Sequence, residues 1–239
     1  MQKPLLFVDT ANVYEIQKIA NWTGGLLDGV TTNPTLVKQE WKRRGLEITG
    51  DYKERVKASI PIWQEICESG VRYVNIEITS TDHATMLEEI YFIRFECGME
   101  KYYGQCVFKF PCTPNGLLAL GMAKEKSSAF KGNVTLVFQP SQAVLAAKAG
   151  ALFVSPFVGR LDDISEDGMA MAEKIISIYR KYSFETMVLV ASIRNPIHVL
   201  RAFETGADVV SMPPETFWQL YKHPLTDIGL EKFSKDWNG

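Results

Sequence analysis

The sequence predicts a single (β/α)8 TIM barrel with an extra C-terminal helix, and three observations predict it. Eight short apolar runs alternate with helical stretches along the chain. The runs are apolar at most positions, as parallel strands covered by helices should be. The length, 239 residues, is about that of one such barrel and lies in the range over which a single core still grows. Residues 1–222 are therefore read as the barrel and 223–239 as a helical arm.

Each element has its own signal. Leu5–Asp9 is a strand, followed by a helix that starts near Ala11-Asn12 and ends before Thr23-Gly24-Gly25. Gly29–Pro34 is a second strand, closed by a proline that cannot continue it. The polar section Gln39–Asp51, with Gly45 and Gly50, reads as a long loop or broken helix before a helix over Tyr52–Ser69. Tyr73–Ile78 is strand three, and Asp82–Cys97 is a helix capped by Asp82 or Thr81. Strand four is Gln105–Pro111, rich in β-branched and aromatic residues and ended by proline. A helix over Asn115–Lys126, a strand over Asn133–Phe138 and a short helix from Pro140 to Ala149, stopped by Gly150, follow. Phe153–Val158, Met187–Ser192 and Val209–Met212 complete the strands, with helices over Glu166–Tyr182, Pro196–Thr205 and Pro214–Tyr221. Beyond them lies an amphipathic segment with apolar positions at Leu230, Phe233 and Trp237, suited to its own barrel or to a neighbouring subunit. The aromatic residues Trp63, Tyr91, Phe92, Phe203, Phe217 and Trp218 are expected between helices and barrel.

Composition excludes several classes. The formal net charge is −2 and no long block of like charge occurs, so neither nucleic acid nor a membrane surface is indicated as a partner. Lys42-Arg43-Arg44, the densest basic spot, reads as a solvated loop. Met1–Pro4 leads into a short strand rather than a signal-peptide core, and no apolar run approaches the ~20 residues of a membrane span. The cysteines at 67, 97, 106 and 112 lack the spacing of a disulfide framework or zinc site, which fits a reducing, cytoplasmic setting. His83, His198 and His223 are scattered, so no metal centre is expected, and no Walker loop or Gly-x-Gly-x-x-Gly fingerprint is present.

The fourth strand carries the chemistry. Side chains alternate along a strand, so Phe108 and Phe110 share one face while Val107 and Lys109 share the other. A lone strand lysine usually protects an edge. Here Asp9, Asn33, Glu77, Thr135 and Ser155 stand near the ends of other strands, and in βα barrels those ends hold the chemistry. Thr31, Asn75, Asn133 and Phe157 share faces with them. One buried ion pair could be architectural, but a lysine with two carboxylates and several hydrogen-bonding groups points to a reaction site. Desolvation favours the neutral amine, which can attack a carbonyl to give a Schiff base, while Asp9 and Glu77 oppose it by favouring the ammonium. A carboxylate that takes a proton from the hydroxyl beyond the adjacent carbon-carbon bond would complete retro-aldol cleavage without a metal or cofactor. A non-catalytic scaffold would have had no use for these buried charges.

Six segments together resemble the transaldolase family: Val8-Asp9-Thr10-Ala11-Asn12, Gly29–Leu36, Phe108-Lys109-Phe110-Pro111, Asn133–Phe138, Ser155–Arg160 and Ala191–Pro196. The similarity is closest to its short subgroup, the small bacterial transaldolases and fructose-6-phosphate aldolases, and runs through His223–Asp227 and the terminal helix. The resemblance implies Lys109 as the Schiff-base lysine, Asp9 as the acid/base, and Glu77 with Thr135 as holders of the water for imine formation. It implies that Thr31, Asn33, Asn133 and Ser155 hold the dihydroxyacetone unit, and that Arg160, Ser192 and Arg194 take the substrate's terminal anion, which suits guanidinium. Glu77 and Phe157 match transaldolases; the aldolases carry Gln and Tyr there, and a tyrosine hydroxyl could help release the three-carbon carbanion. Transfer is therefore expected over free cleavage.

Cys112-Thr113-Pro114-Asn115-Gly116, the longer section Trp41–Lys53 and Gln139-Pro140-Ser141 depart from the family's usual wording. These changes bear on the donor, so 6-deoxy-6-sulfofructose stands beside sugar phosphates as the implied substrate. The subgroup further implies a homo-oligomer, pentamer or decamer.

Overall fold

The structure is a computed structural model that describes residues 4–238; Met1–Lys3 and Gly239 lie outside the described residues. Eight parallel strands close into a barrel in chain order: β1 Leu5–Asp9, β2 Gly29–Thr31, β3 Tyr73–Glu77, β4 Cys106–Pro111, β5 Gly132–Val137, β6 Phe153–Pro156, β7 Met187–Val190 and β8 Val209–Met212. The helices are α1 Val13–Thr23, α2 Pro34–Arg43, α3 Tyr52–Glu68, α4 His83–Tyr91, α5 Pro114–Lys126, α6 Pro140–Lys148, α7 Val158–Asp162, α8 Gly168–Lys181, α9 Pro196–Glu204, α10 Pro214–Gln219 and α11 Pro224–Asn238.

A recurring device turns strand into helix. Asn33, Thr113 and Asn195 each accept a backbone N–H with their side chains, and the next residue is proline at the first helical position. This device corrects the second strand. It ends at Thr31, because Pro34 opens α2 rather than closing β2.

The section Gln39–Asp51 is likewise not a loop throughout. The helix α2 runs to Arg43, with Val37 and Trp41 buried one turn apart and charged residues on the rest of its surface. Nor is Lys42-Arg43-Arg44 merely solvated. Arg43 and Arg44 both hold the carboxylate of Glu40, which is 2% exposed, and Arg44 also makes a two-bonded pair with Glu65 of α3 at 2.8 Å. Burial alone would raise the pKa of Glu40, but the hydrogen bonds from Arg43 and Arg44 outweigh it and hold the carboxyl below its usual 4.5. A depressed carboxylate contributes stability above its unfolded pKa and loses it as pH falls through the folded value. Glu40→Gln is therefore expected to cost about 1–3 kcal/mol at pH 7. That deficit should shrink as pH falls below about 4.5; a pH-independent deficit in urea unfolding would remove the linkage.

The helix predicted over Asp82–Cys97 is α-helical only to Tyr91 and then widens into a π turn over Phe92–Glu96, where the Cys97 N–H reaches the Phe92 carbonyl at 2.9 Å. Tyr91 is exposed, not core, because Ile90 beside it takes the inward face. The short α7 and a 3-10 turn over Met99–Tyr102 were not foreseen.

The core has two shells. Phe108 and Phe110 point outward and pack on Phe130, with ring centroids 5.6 and 6.1 Å away. Inside the barrel, Phe7, Tyr73 and Phe153 meet with centroids 5.3–5.8 Å apart, joined by Leu5, Val107, Leu189 and Val209 as an apolar floor. Gly29 is required there, since a Cβ would lie 2.6 Å from the Phe7 ring. The helix α11 buries none of its residues, so it does not pack on its own barrel; Leu225, Ile228, Phe233 and Trp237 are all exposed.

Candidate active site

Strand register assembles the polar layer above this floor. It sets Asp9 beside Thr31, Glu77 beside Lys109, and Lys109 beside Asn133 on successive strands. Parallel strands lie about 4.8 Å apart, so these inward side chains can touch.

Lys109 is 4% exposed. Its Nζ donates to Glu77 Oε2 at 2.7 Å and to the Thr32 carbonyl at 2.8 Å. Asp9 Oδ1 accepts from the Thr31 hydroxyl at 2.7 Å, and Thr31 lies 2.6 Å from the hydroxyl of Ser211 on β8. Burial pushes the Asp9 carboxyl above its ordinary 3.8, with Lys109 and the Thr31 hydrogen bond pulling down and Glu77 adding to the rise. Below them, Ser155 donates to Asn133 at 2.8 Å, Asn133 to Asn75 at 2.9 Å, and Asn75 to the Val30 carbonyl at 3.2 Å. The Thr135 hydroxyl is buried with no partner among the described residues, which leaves it free for a bound molecule. A bulge follows it, with Leu136 at φ +57° and a register shift between Val134 and Val137.

A cavity of about 180 Å³ gathers ten of the twelve predicted residues: Asp9, Thr31, Asn33, Lys109, Thr135, Ser155, Phe157, Arg160, Ser192 and Arg194. Asn133 is not among them; it lies fully buried beneath and orients Ser155. Glu77 lines instead a larger cavity of about 760 Å³ that shares Asn33 and extends past Trp41, Tyr52 and Trp63. The Lys109–Glu77 pair thus stands between the two chambers. The smaller is the candidate reaction site, since the amine, Asp9 and both arginines open into it.

Asn33 has a double attachment. Its side-chain oxygen Oδ1 accepts from the Leu36 N–H at 3.0 Å and so caps α2, and the residue also lines both cavities. At the mouth, the Arg160 guanidinium lies 5.1 Å over the Phe157 ring and makes no ion pair among the described residues, unlike Arg194, which pairs with Asp163 at 2.7 Å. Ser192 adopts φ +60°, a conformation costly for a serine. Gly159 lets the chain pass, because a Cβ would press on the Ser192 carbonyl and the Arg194 side chain.

Sequence reasoning missed Ser211 and Glu89. Ser211 follows Val209 by two on β8, so the same period-two rule could have placed it inward. Glu89 is buried, and its carboxylate accepts the N–H and hydroxyl groups of Thr79 and Ser80, pinning the loop just past Glu77. Among the described residues, no group of three or more His, Cys, Asp or Glu converges as a metal site, and no helix is long and apolar enough to cross a membrane.

A closed barrel with an amine, two carboxylates and an arginine-edged mouth at the strand ends has the layout of a barrel enzyme acting on a small anionic molecule. The family described as Transaldolase/Fructose-6-phosphate aldolase matches residues 6–239. A "Probable transaldolase" of Aquifex aeolicus is 48% identical, covering 97% of this chain and 95% of the relative. One of Thermodesulfovibrio yellowstonii is 46% identical, with coverages of 97% and 96%. The solved thiamine phosphate pyrophosphorylase from Pyrococcus furiosus shares the fold, with TM-score 0.54 and 14% identity over 87% of this chain and 85% of that one. The chain belongs to the transaldolase/fructose-6-phosphate aldolase family and is a transaldolase-type enzyme.

Proposed function

We propose that this enzyme moves a dihydroxyacetone unit from an anionic ketose of the fructose 6-phosphate type to an aldose-phosphate acceptor through an imine on Lys109. The observation that carries the reading is the buried Lys109 amine, held 2.7 Å from a proton acceptor, Glu77, in a cavity it shares with the second carboxylate, Asp9. Glu77 takes the ammonium proton, and the amine adds to the ketose carbonyl. The same carboxyl protonates the departing hydroxyl, so water leaves and the iminium forms. The Thr135 hydroxyl, without a partner among the described residues, holds that water. Asp9 then takes the proton of the hydroxyl beyond the next bond; that bond breaks toward the iminium and the aldehyde departs. The enamine left on Lys109 attacks the acceptor's carbonyl carbon, Asp9 returns the proton to the new alkoxide, and hydrolysis frees the longer ketose. Asn33 and Ser155 hold the three-carbon unit, while Arg160, Ser192 and Arg194 hold the anion.

Those donors serve a sulfonate as well as a phosphate, so the test runs fructose 6-phosphate and 6-deoxy-6-sulfofructose in parallel, followed by borohydride and mass spectrometry of peptides. A reduced three-carbon adduct on Lys109 supports the reading, and the donor that turns over faster with acceptor present names the substrate. An adduct on another lysine, or none in active enzyme, refutes it.

Phe157 bears on transfer against release. Its ring edges against Phe138 and underlies Arg160, offering no hydroxyl that could protonate the enamine. Phe157→Tyr is expected to raise dihydroxyacetone release relative to transfer by several-fold to about 10²-fold. An unchanged ratio would favour fructose-6-phosphate aldolase chemistry already at work in the parent.

The exposed apolar stripe of α11 supports self-association in which this helix covers a second copy, as in the pentamer or decamer that the family resemblance implies. Light scattering at the 27.0 kDa of one chain would exclude it. Four free cysteines accord with a reducing, cytoplasmic setting.

A further inference from the structure

We propose that Ser211 is a positioning residue that sets the proton affinity of Asp9 through Thr31; this rests on Asp9 being the acid/base described above. Three strands contribute one group each: Asp9 from β1, Thr31 from β2 and Ser211 from β8. The Thr31 oxygen lies 2.7 Å from Asp9 Oδ1 and 2.6 Å from Ser211 Oγ. Each hydroxyl has a single proton to give.

With Asp9 ionised, its oxygens only accept, so Thr31 donates to Asp9 and Ser211 donates to Thr31. Every proton in the chain has an acceptor. A protonated Asp9 either still accepts from Thr31 at Oδ1 or donates to Thr31, in which case the order reverses and Thr31 donates to Ser211. The Ser211 proton then has no further acceptor among the hydrogen bonds of the described residues, and at 1% exposure solvent does not supply one. Ser211 acts through the forward order: its donation polarises the Thr31 hydroxyl toward Asp9, and a polarised donor strengthens a hydrogen bond to the charged carboxylate more than one to the neutral acid.

The other charged groups facing Asp9 are Glu77 from β3 and Lys109 from β4, with Arg160 of α7 and Arg194 past β7 around the same cavity. They set the level from which Ser211 works. Against them, burial holds Asp9 above its ordinary value, so a donor chain that limits the rise keeps the residue able to accept a proton near neutrality.

The experiment is a ¹³C-carboxyl NMR titration of Asp9, its signal identified by its loss in Asp9→Asn, alongside the pH profile of kcat/KM. Ser211→Ala is expected to raise the Asp9 midpoint by up to about half a unit, and Ser211→Cys, a weaker donor of similar size, by less. Thr31→Val removes the direct donor and raises it further. In that background Ser211→Ala should add nothing, because the route to Asp9 is gone. A midpoint unmoved by both Ser211 variants, or a Ser211→Ala shift that persists with Thr31→Val, overturns the proposal. A midpoint that moves while the kcat/KM profile stays fixed supports the relay and overturns instead the acid/base assignment of Asp9.

Discussion

Lys109→Met is expected to lower turnover by on the order of 10⁴- to 10⁶-fold, the range seen when a covalent nucleophile is removed from an enzyme. Methionine keeps the unbranched chain and the packing of β4 but cannot form an imine, so borohydride adds nothing at this position. The change also leaves the Glu77 carboxylate, with a side chain only 17% exposed, without its ion partner. Removing one member of a buried pair costs more than removing both. Thermal unfolding should therefore show Lys109→Met less stable than the double variant with Glu77→Gln, while both remain inactive. Single-turnover assays decide the catalytic part: activity above about a hundredth of the parent would exclude imine chemistry at Lys109.

Asp9→Asn has the second largest expected effect, a fall of about 10²- to 10⁴-fold in the carbon-carbon step, as for loss of a general acid/base. In the proposed mechanism imine formation belongs to Lys109 and Glu77, so this variant should still be trapped by borohydride, now carrying the uncleaved ketose. Trapping of only the three-carbon fragment would show that another group takes the proton. Stability should move the other way. The Asp9 carboxyl is pushed up by burial, so the folded state binds its proton more tightly than the unfolded chain and loses stability as pH rises above the ordinary 3.8. Asparagine removes that loss and still accepts from Thr31. The variant should unfold at higher denaturant than the parent at pH 7, with the difference vanishing as pH falls below about 3.8.

Much of this site was legible because strands have a period of two. Lys109 and Val107 had to share a face, as did Asp9 with Phe7 and Glu77 with Asn75, so polar residues near strand ends announced the chamber. Eight apolar runs announced the barrel for a related reason, since parallel strands are covered on both sides. Helices with charged surfaces were harder. In α2, Lys38, Glu40, Lys42 and Arg43 masked the pairing of Val37 with Trp41, and three apolar side chains in ten residues, Leu36, Val37 and Trp41, give little period to read. The five-residue α7 offers still less. Side-chain direction at chain reversals was not legible at all. The left-handed serine at position 192 and the pairing of Arg194 with Asp163 depend on a backbone angle that composition does not encode and on residues far apart in sequence. The division of the mouth into two chambers depends on how α2 and α3 stand off the barrel, which no local pattern reports.

The rings of Phe7, Tyr73 and Phe153 make the barrel a vessel with a plugged base rather than a tunnel. All traffic uses the open end. The reaction chamber, at about 180 Å³, is smaller than the roughly 300–1,000 Å³ usual for ligand pockets. Under the proposed transfer, a departing aldehyde and an arriving one would take turns in it. The first visitor would back out before the second enters, with the fragment tethered to Lys109 in between. A dead-end room of this kind imposes a queue, and in steady-state kinetics a queue appears as parallel lines in double-reciprocal plots.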